Sequence, residues 1–285
     1  MIRLPFIFAR GFVAAETLTE TLPVVQRLAD RGMLTTIDLL GEHVTSKSLA
    51  LRARDAYIHL LHALSAHPNL ERNISIKLSM IGQIIDEDFC HENLCLLLDE
   101  ARSLKAFVRL DMEGTSILNS TLRIFESTFS DYPENVGTVL QAYLKRTPKD
   151  VEHMCKLGAR VRLCKGAYQE SPQVALQRMP DIRAQFLTCM RTLLRHGNYA
   201  AIATHDDTLI HETMSFAQRQ KISPSKYEFQ MLYGLRQKTQ EAIASRGYNM
   251  RIYTPYGKMW LPYYVRRLRE RPENVTFLLR NILRS

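Results

Sequence analysis

Eight short apolar runs alternate with longer segments of helical period along this chain of 285 residues. The runs lie at 34–39, 74–78, 107–111, 137–141, 160–164, 200–204, 228–232 and 251–254. Between them, apolar side chains recur every three or four residues, which is the spacing of an amphipathic helix. An unbroken alternation of strands and helices predicts βαβ units and a parallel sheet.

The segment before the first run carries the signals of a helix with defined ends. Thr17 and Glu20 form a capping box, in which side chains satisfy backbone N–H groups at the start of a helix. Gly32 follows the apolar stripe and predicts a left-handed cap at its end. We therefore expect a helix directly before the first strand.

Two architectures are built from such units, the (β/α)8 barrel and the doubly wound sheet. A doubly wound sheet usually carries a glycine-rich, phosphate-binding turn after its first strand. Here that turn reads DLLGE at 38–42, and the chain contains neither a Gly-x-Gly-x-x-Gly motif nor a P-loop. We predict an α/β fold of the TIM-barrel type, with residues 1–285 in a single domain.

Polar and ionisable side chains stand at the ends of the predicted strands. A TIM barrel builds its active site at the carboxyl ends of its strands, so these side chains should converge. A charged residue at a single strand end is explained as well by a structural ion pair as by an active site. The same pattern at all eight ends favours an active site. The strand-end residues include Asp38, Lys77, Asp111, Gln141, Arg162, Lys165, His205, Gln230 and Tyr253.

Other motifs leave a narrow choice of chemistry. We predict no metal site, because only His205 among the histidines lies at a predicted strand end. Lys77 and Lys165 leave open a Schiff-base mechanism, as in barrel aldolases. The adjacent Arg266 and Arg267 indicate an anionic ligand, since guanidinium groups bind carboxylate or phosphate bidentately. A basic helix face is the alternative explanation of that pair.

The formal net charge is +9, with a pI of about 9.4. Such a balance indicates nucleic acid, an anionic membrane surface or an acidic ligand as partner, or simply a basic solvated surface. No apolar stretch is long enough to span a membrane. The five cysteines form an odd set with no Cys-x-x-Cys, and a disulfide scaffold is not expected in a chain of this size, so a reducing compartment fits best.

A series of segments, in order along nearly the whole chain, resembles the proline dehydrogenase family, both its monofunctional bacterial form and the module of bifunctional proline utilization proteins. The segments are FVAAETL at 12–18, DLLGE at 38–42, IKLS at 76–79, VRLDME at 108–113, VLQAYL at 139–144, VRLCKGAY at 161–168, ATHD at 203–206, EFQMLYG at 228–234, YTPYG at 253–257 and YVRRL at 264–268. Each segment alone is weak evidence for the family, but all of them together, in this order, make the resemblance specific.

The resemblance implies a distorted (β/α)8 barrel that holds FAD without a covalent link. It further implies oxidation of L-proline to Δ1-pyrroline-5-carboxylate, the first step of proline catabolism to glutamate, with electrons passed to a membrane quinone. The expected step is hydride transfer from proline C5 to flavin N5. The expected location is the cytoplasm, with peripheral contact at the inner face of the cytoplasmic membrane and no nucleic-acid partner.

The resemblance also implies how the substrate is held. Lys77, Arg266 and Arg267 resemble a clamp for the proline carboxylate. Tyr253 and Leu232 resemble walls that pack on the proline ring. Three neighbouring cations repel one another unless a strong anion joins them, so an amino-acid carboxylate suits this clamp.

Catalytic and cofactor roles follow from the same resemblance. Asp111 resembles an acid at the floor of the site, hydrogen-bonded to Lys77 or Tyr253, and Tyr253 is included with it as catalytic. Arg162 resembles the residue beside flavin N5, where a fixed cation stabilises the charge that arrives with the hydride. The FAD contacts implied are Gln141, Arg162, Lys165, Gly166, Ala167, Thr204, His205, Gln230 and Glu270.

Glu42 resembles a residue that pairs with Arg266 and closes a lid over the site. The family usually carries several helices before the matching region, which we expect to be shortened here, and we expect no cleaved presequence because 8–16 belongs to the match. In the fifth βα loop, taken as 177–185, Arg178 and Arg183 are both candidates for the FAD diphosphate.

Two other functions fit the residues without the resemblance. One is a barrel lyase or aldolase that uses Lys77 or Lys165 as a Schiff base. The other is a basic nucleic-acid-binding protein, which would need aromatic side chains interleaved on a basic face rather than charges at strand ends. The resemblance favours the flavin enzyme over both.

Overall fold

The computed structural model describes residues 5–41 and 43–270, with side chains described up to residue 267. Eight parallel strands form a closed barrel in sequential order, and β8 pairs with β1. The strands are β1 (Leu34–Leu39), β2 (Asn73–Ile76), β3 (Phe107–Leu110), β4 (Val136–Gln141), β5 (Arg160–Cys164), β6 (Ala200–Ala203), β7 (Tyr227–Leu232) and β8 (Asn249–Tyr256). The predicted TIM-barrel fold is confirmed.

Helices alternate with these strands and surround the barrel. They are α1 (Leu18–Asp30), α2 (Lys47–Ser65), α3 (Glu87–Ser103), α4 (Thr115–Phe129), α5 (Thr147–Leu157), α6 (Met179–His196), α7 (Asp207–Arg219), α8 (Gln237–Ser245) and α9 (Trp260–Glu270). Short 3-10 helices lie at Phe6–Phe8, Leu78–Met80 and Pro224–Lys226. Within the described residues, no helix is both long and apolar enough to cross a membrane.

Periodicity located the strands closely. The first and fifth runs coincide with β1 and β5. The least accurate run is the last, because β8 begins two residues before 251 and ends two residues after 254. The capping box is also confirmed, since the Thr17 hydroxyl accepts a hydrogen bond from the Glu20 amide at 3.3 Å. Gly32 ends this region in the left-handed conformation, with φ of 71°.

The region 177–185 is not a loop, and that prediction is wrong. Helix α6 begins at Met179, so Arg183 lies within the helix and only Arg178 precedes it. Pro180 stands in the first turn, where its fixed φ suits a helix and its missing N–H would have had no helical partner. Pro180 is therefore compatible with the start of α6.

An N-terminal segment, residues 5–17, crosses the carboxyl end of the barrel and packs against α9. The Ala14 amide donates to Pro255 O at 2.9 Å, and the Trp260 indole donates to the Glu16 carboxylate at 3.0 Å. Phe12 packs against Tyr264 with tilted rings whose centroids are 6.1 Å apart. This separate apolar cluster holds α9 over the mouth of the barrel.

Candidate active site

A cavity of about 470 Å³ opens at the carboxyl ends of the barrel strands. Its wall combines side chains from β4, β5, β6, β7 and β8, and from the residues that directly follow β2 and β3, with the first turn of α6 and the inner face of α9. Most residues predicted for the site lie on this wall. They are Lys77, Asp111, Arg162, Lys165, Gly166, Ala167, Thr204, His205, Gln230, Leu232, Tyr253, Arg266 and Arg267.

Lys77 forms a buried ion pair with Asp38. Its ammonium donates to Asp38 Oδ1 at 2.8 Å, and both side chains are almost fully excluded from solvent. Burial alone would lower the pKa of Lys77, but the carboxylates of Asp38 and Asp111 raise it above its ordinary value. Lys77 is therefore a permanent cation at the base of the cavity.

Asp111 bridges two walls of the cavity. Its Oδ1 accepts from Arg162 Nη1 at 2.6 Å, and its Oδ2 accepts from the Tyr253 hydroxyl at 2.6 Å. Of the two partners expected for Asp111, the structure shows Tyr253, while Lys77 pairs with Asp38. Burial, followed by the charges of Asp111 and Asp38, raises the pKa of Tyr253 well above 10, so its phenol stays protonated and donates.

Arg162 is held in place from below as well. Its Nη2 donates to Ser75 Oγ at 2.8 Å, and Ser75 in turn exchanges a hydrogen bond with Thr36 at 3.0 Å. The guanidinium lies over the ring of Tyr253 at 5.2 Å. Its Nε is buried and has no hydrogen-bond partner among the described residues. Arg162 thus presents a fixed charge to the cavity.

The two arginines of α9 approach from the opposite side. The Arg266 guanidinium lies 5.6 Å from the ring of Tyr168, and that of Arg267 lies 5.3 Å from the ring of Tyr263. Both aromatic rings also line the cavity. Cation–π stacking of this kind restrains a flexible guanidinium and fixes its direction.

A second group of charges lies at the rim, around Asp206. Its Oδ2 accepts from Lys165 Nζ at 2.6 Å and from Arg183 Nε at 2.7 Å. Burial opposes the shift, but these two cations lower the pKa of Asp206 to about 2. Arg178 stands apart, largely exposed and 3.8 Å from Asp181.

His205 supports the wall residue Leu232. The Leu232 amide donates to His205 Nε2 at 3.0 Å, which requires that nitrogen to be unprotonated. The carbonyl of His205 accepts from Arg236 Nη1 at 2.5 Å. The turn after β6 and the end of β7 are therefore joined directly beside the cavity.

The family model for proline dehydrogenase matches residues 21–280. The chain belongs to the proline dehydrogenase family. It is 38% identical over 279 residues to proline dehydrogenase 2 of Bacillus subtilis strain 168, with 98% of this chain and 91% of that protein covered. It is 35% identical over 281 residues to proline dehydrogenase of Deinococcus radiodurans, with 97% and 90% covered. It is thus an oxidoreductase of this family.

The bifunctional relatives are much longer. The chain is 28% identical over 321 residues to the bifunctional protein PutA of Escherichia coli K12, covering 96% of this chain and 24% of that one. Its fold superposes on PutA of Bdellovibrio bacteriovorus inactivated by N-propargylglycine with a TM-score of 0.84 at 27% identity. That match covers 92% of this chain and only 32% of the other.

Three residues expected for a proline dehydrogenase site do not lie on the described wall. The Gln141 side chain donates to Glu113 O at 2.8 Å and is buried outside the cavity. Glu42, and with it the proposed lid pair to Arg266, lies outside the described residues. The side chain of Glu270 also lies outside them.

Sequence reasoning placed Asp38 and Asp206 at strand ends without a role in the family site. Asp38 lies on β1 beside the β2 strand that leads to Lys77, and a carboxylate in an apolar strand signals a cationic neighbour. Asp206 caps α7 by accepting from the Thr208 amide at 3.1 Å, which a helix N-cap pattern would suggest. Among the described residues, no group of three or more His, Cys, Asp or Glu side chains could hold a metal ion.

Proposed function

We propose that the chain oxidises L-proline to Δ1-pyrroline-5-carboxylate with bound FAD and passes the electrons to a quinone. One observation carries this proposal: Lys77, Arg266 and Arg267 converge on one cavity that Asp111 and Tyr253 also line. Such an arrangement can hold an amino-acid carboxylate at one end and a ring against an aromatic wall. The names of the relatives, proline dehydrogenases of Bacillus and Deinococcus, support the substrate.

The cavity wall fits a flavin. Two buried polar atoms on it, Arg162 Nε and Gln230 Oε1, have no hydrogen-bond partner among the described residues. A flavin ring offers both donors and acceptors at its edge, so it would satisfy such atoms. The FAD would be held by Arg162 and Gln230 and by the nearby Lys165, Gly166, Ala167, Thr204 and His205.

The substrate carboxylate is bound by charge that is already in place. Asp38 keeps Lys77 protonated, and stacking on Tyr168 and Tyr263 directs Arg266 and Arg267. Carboxylate binding in a site closed to water is strengthened because a low dielectric increases the attraction. Leu232 would contribute an apolar wall that packs against the proline ring.

The chemistry needs a neutral substrate amine and a stabilised electron acceptor. When bound, FAD would accept the hydride that leaves proline C5. As C5 becomes bonded to nitrogen by a double bond, the amine proton is lost to solvent, so atoms and charge balance. Arg162, held by Asp111 and Ser75, would place a positive charge where negative charge develops. Two electrons and one proton from the reduced flavin, with a second proton from solvent, would then pass to a quinone and give the quinol.

A Schiff-base lyase is not favoured. A Schiff base needs a neutral lysine amine as nucleophile. The carboxylates around Lys77 raise its pKa, and Lys165 donates to Asp206 at 2.6 Å, so both amines are engaged by anions. Both contacts, together with the family match, favour the dehydrogenase.

The deciding experiment is proline-dependent dye reduction by the FAD-loaded protein. We expect a yellow protein, with flavin bands near roughly 370 and 450 nm that bleach on anaerobic addition of L-proline. 4-Hydroxyproline in a parallel assay measures how strictly Tyr253 closes the ring pocket. Lys77→Met should lower kcat/KM for proline while FAD is retained. A colourless protein that cannot be reconstituted, or a flavin that proline does not bleach, would overturn the proposal.

Electron delivery at a membrane is tested separately. We propose that the surplus positive charge of the chain brings it to anionic lipid, where quinone is dissolved. Sedimentation with vesicles of anionic lipid, compared with neutral vesicles, should show salt-sensitive binding. Proline-dependent quinol formation should be faster with the anionic vesicles. Equal rates and equal sedimentation with both vesicles would contradict membrane delivery while leaving the dehydrogenase proposal intact.

A further inference from the structure

A second and larger cavity, of about 740 Å³, lies at the opposite mouth of the barrel. Its wall contains the first residues of β1, β2, β3, β5 and β8, so it opens at the amino-terminal ends of the strands. The proposed active site uses the carboxyl ends. Among the described residues, the two cavities share no lining residue, so ligand binding at this one is independent of the proposed activity.

The wall of this amino-terminal cavity is strongly basic. Among the described residues, only Glu71 and Glu134 contribute carboxylates to it. The cationic side chains on it are Arg72, Arg102, Lys105, Arg160 and Arg251. A concave surface with this imbalance focuses positive potential and attracts anions.

Some of these cations are already neutralised by the protein. Arg251 is buried and bonded to Glu228 at 2.9 Å and to Glu71 at 3.0 Å. Arg102 pairs with Asp99 at 2.6 Å. Arg72 donates only to the Leu104 carbonyl, at 2.8 Å, among the described residues. The cationic side chains that remain without a carboxylate partner among the described residues are those of Arg72, Lys105 and Arg160.

Arg160 is the centre of that uncompensated charge. Its guanidinium lies between two aromatic rings, 4.5 Å from Phe107 and 4.7 Å from Tyr199. No carboxylate lies within ion-pair distance of it in the part of the chain that the structure describes, and its Nε is buried without a hydrogen-bond partner. The two rings hold the guanidinium plane in one orientation while its hydrogen-bonding edges stay available.

The buried layer beneath the cavity adds to the positive field. Arg109 is fully buried and donates to the Arg160 carbonyl at 2.5 Å. Gly137 leaves the room that this arginine needs, because a Cβ there would lie 2.6 Å from Arg109 Nη1. Burial and the nearby cations of Arg162, Arg160 and Arg251 lower the pKa of Arg109, although Glu228 opposes the shift. An anion in the cavity would be attracted by this layer too.

We propose that the amino-terminal cavity binds a small molecule through a carboxylate or phosphate group, with Arg160 as the principal contact. A pre-oriented guanidinium binds such an oxyanion through two parallel hydrogen bonds, at little cost in side-chain entropy. Lys105, exposed on the rim, supplies a second charge. The phenol of Tyr199 donates to Glu228 and accepts from Asn249, which keeps the ring that stacks on Arg160 in place.

Calorimetric titration with two probes, inorganic phosphate and citrate, tests the site. Ionic strength is kept constant with sodium chloride, so that a general salt effect is subtracted. We expect saturable binding of at least one probe to the full-length protein, and the preferred probe tells a phosphate ligand from a carboxylate ligand. If neither probe binds saturably above the chloride background, the proposal is overturned.

Variants locate the binding. Arg160→Gln should raise the dissociation constant of the bound probe about tenfold or more, because it removes a charged, bidentate contact. Arg52→Gln removes one charge from an exposed position on α2 and should change it less than about twofold. Unchanged affinity in Arg160→Gln would overturn the assignment. If that variant fails to fold, Lys105→Gln provides the test, because its side chain is exposed and its replacement should not affect folding. An oxyanion bound in the amino-terminal cavity should then bind more weakly to Lys105→Gln, and unchanged affinity would overturn the proposal.

Discussion

The phenol of Tyr253 donates a 2.6 Å hydrogen bond to Asp111 across the barrel, from β8 to the end of β3. The same carboxylate holds Arg162. An aromatic wall of the cavity and a cation beneath it are therefore oriented by one acidic group. The strands that carry them are not neighbours, so only closure of the barrel brings them together.

Tyr253→Phe should lower kcat/KM for proline roughly tenfold, equivalent to about 1.4 kcal/mol of transition-state stabilisation. The ring wall remains, but Asp111 loses one of its two anchors and Arg162 becomes less well fixed. Steady-state kinetics with L-proline measure the change. Tyr256→Phe, on the same strand and without a side-chain hydrogen bond among the described residues, should retain wild-type kinetics. Equal loss in both variants would show that the hydrogen bond is not responsible.

Asp38→Asn should destabilise the fold by about 3–5 kcal/mol, because it leaves the Lys77 ammonium buried without its ion-pair partner. Urea unfolding measures the free energy of unfolding. The double variant Asp38→Asn with Lys77→Met removes both charges and should recover much of the loss. A double variant no more stable than the single one would show that the unpaired ammonium is not the cause of the loss.

Acid should lower the free energy of unfolding through protonation of Glu228, which lies on β7. Burial opposes the shift, but the charge and hydrogen bonds of Arg251 lower the pKa of Glu228 from 4.5 to about 2. A carboxyl with a lowered folded-state pKa stabilises the protein above the unfolded pKa, and this contribution is lost as pH falls from about 4.5 to 2. The contribution is about 3 kcal/mol at neutral pH.

The pH dependence is measured by comparing wild type with Glu228→Gln in urea unfolding from pH 7 to pH 2. We expect the variant to be less stable at pH 7 and the two curves to converge towards pH 2. A difference in stability that stays constant across that range would contradict the assignment to Glu228.

Gly166→Ala should disrupt the turn after β5, because φ is +116° and a Cβ would lie 2.2 Å from the ring of Tyr143. Since this turn lines the cavity, we expect at least about tenfold weaker FAD binding, read from flavin fluorescence on reconstitution. Gly158→Ala is a matched control, because its φ is +75° but an added Cβ would meet no described atom within 4 Å beyond its own chain neighbours. That control should lose only about 1 kcal/mol of stability and keep its FAD. Similar FAD affinity in both variants would argue against a role for the turn.

Arg183→Gln and Arg178→Gln separate the two candidates for the FAD diphosphate. Arg183 reaches Asp206 beside the cavity, whereas Arg178 is exposed and faces Asp181. We expect weaker FAD binding only in Arg183→Gln, by about tenfold, because a charge-assisted contact is lost. Equilibrium titration of apoprotein with FAD measures it. Loss of affinity confined to Arg178→Gln would reverse the assignment.

Local pattern was sufficient for the architecture. Every strand was located within two residues, because a buried parallel strand reads as a short apolar run and each helix as a stripe of period 3.6. The segment taken as a loop, 177–185, lies largely in α6, which begins at Met179. Tertiary packing of Ile182 and Phe186 decided in favour of helix.

The residues at the carboxyl ends of the strands could also be predicted to lie together, because in a parallel barrel all these ends lie at the same mouth. Lys77, Arg162, Tyr253, Arg266 and Arg267 lie on the cavity wall for this reason.

The amino-acid order by itself thus determined the barrel, the end of it that carries the site, and the residue types available there. Only the tertiary structure decided which of these side chains bind one another. Lys77 forms its ion pair with Asp38, and Asp111 accepts hydrogen bonds from both Tyr253 and Arg162. Spacing along a chain sets which face a side chain occupies. Hydrogen bonds of 2.6–2.8 Å between distant strands depend on the closure and stagger of the whole barrel.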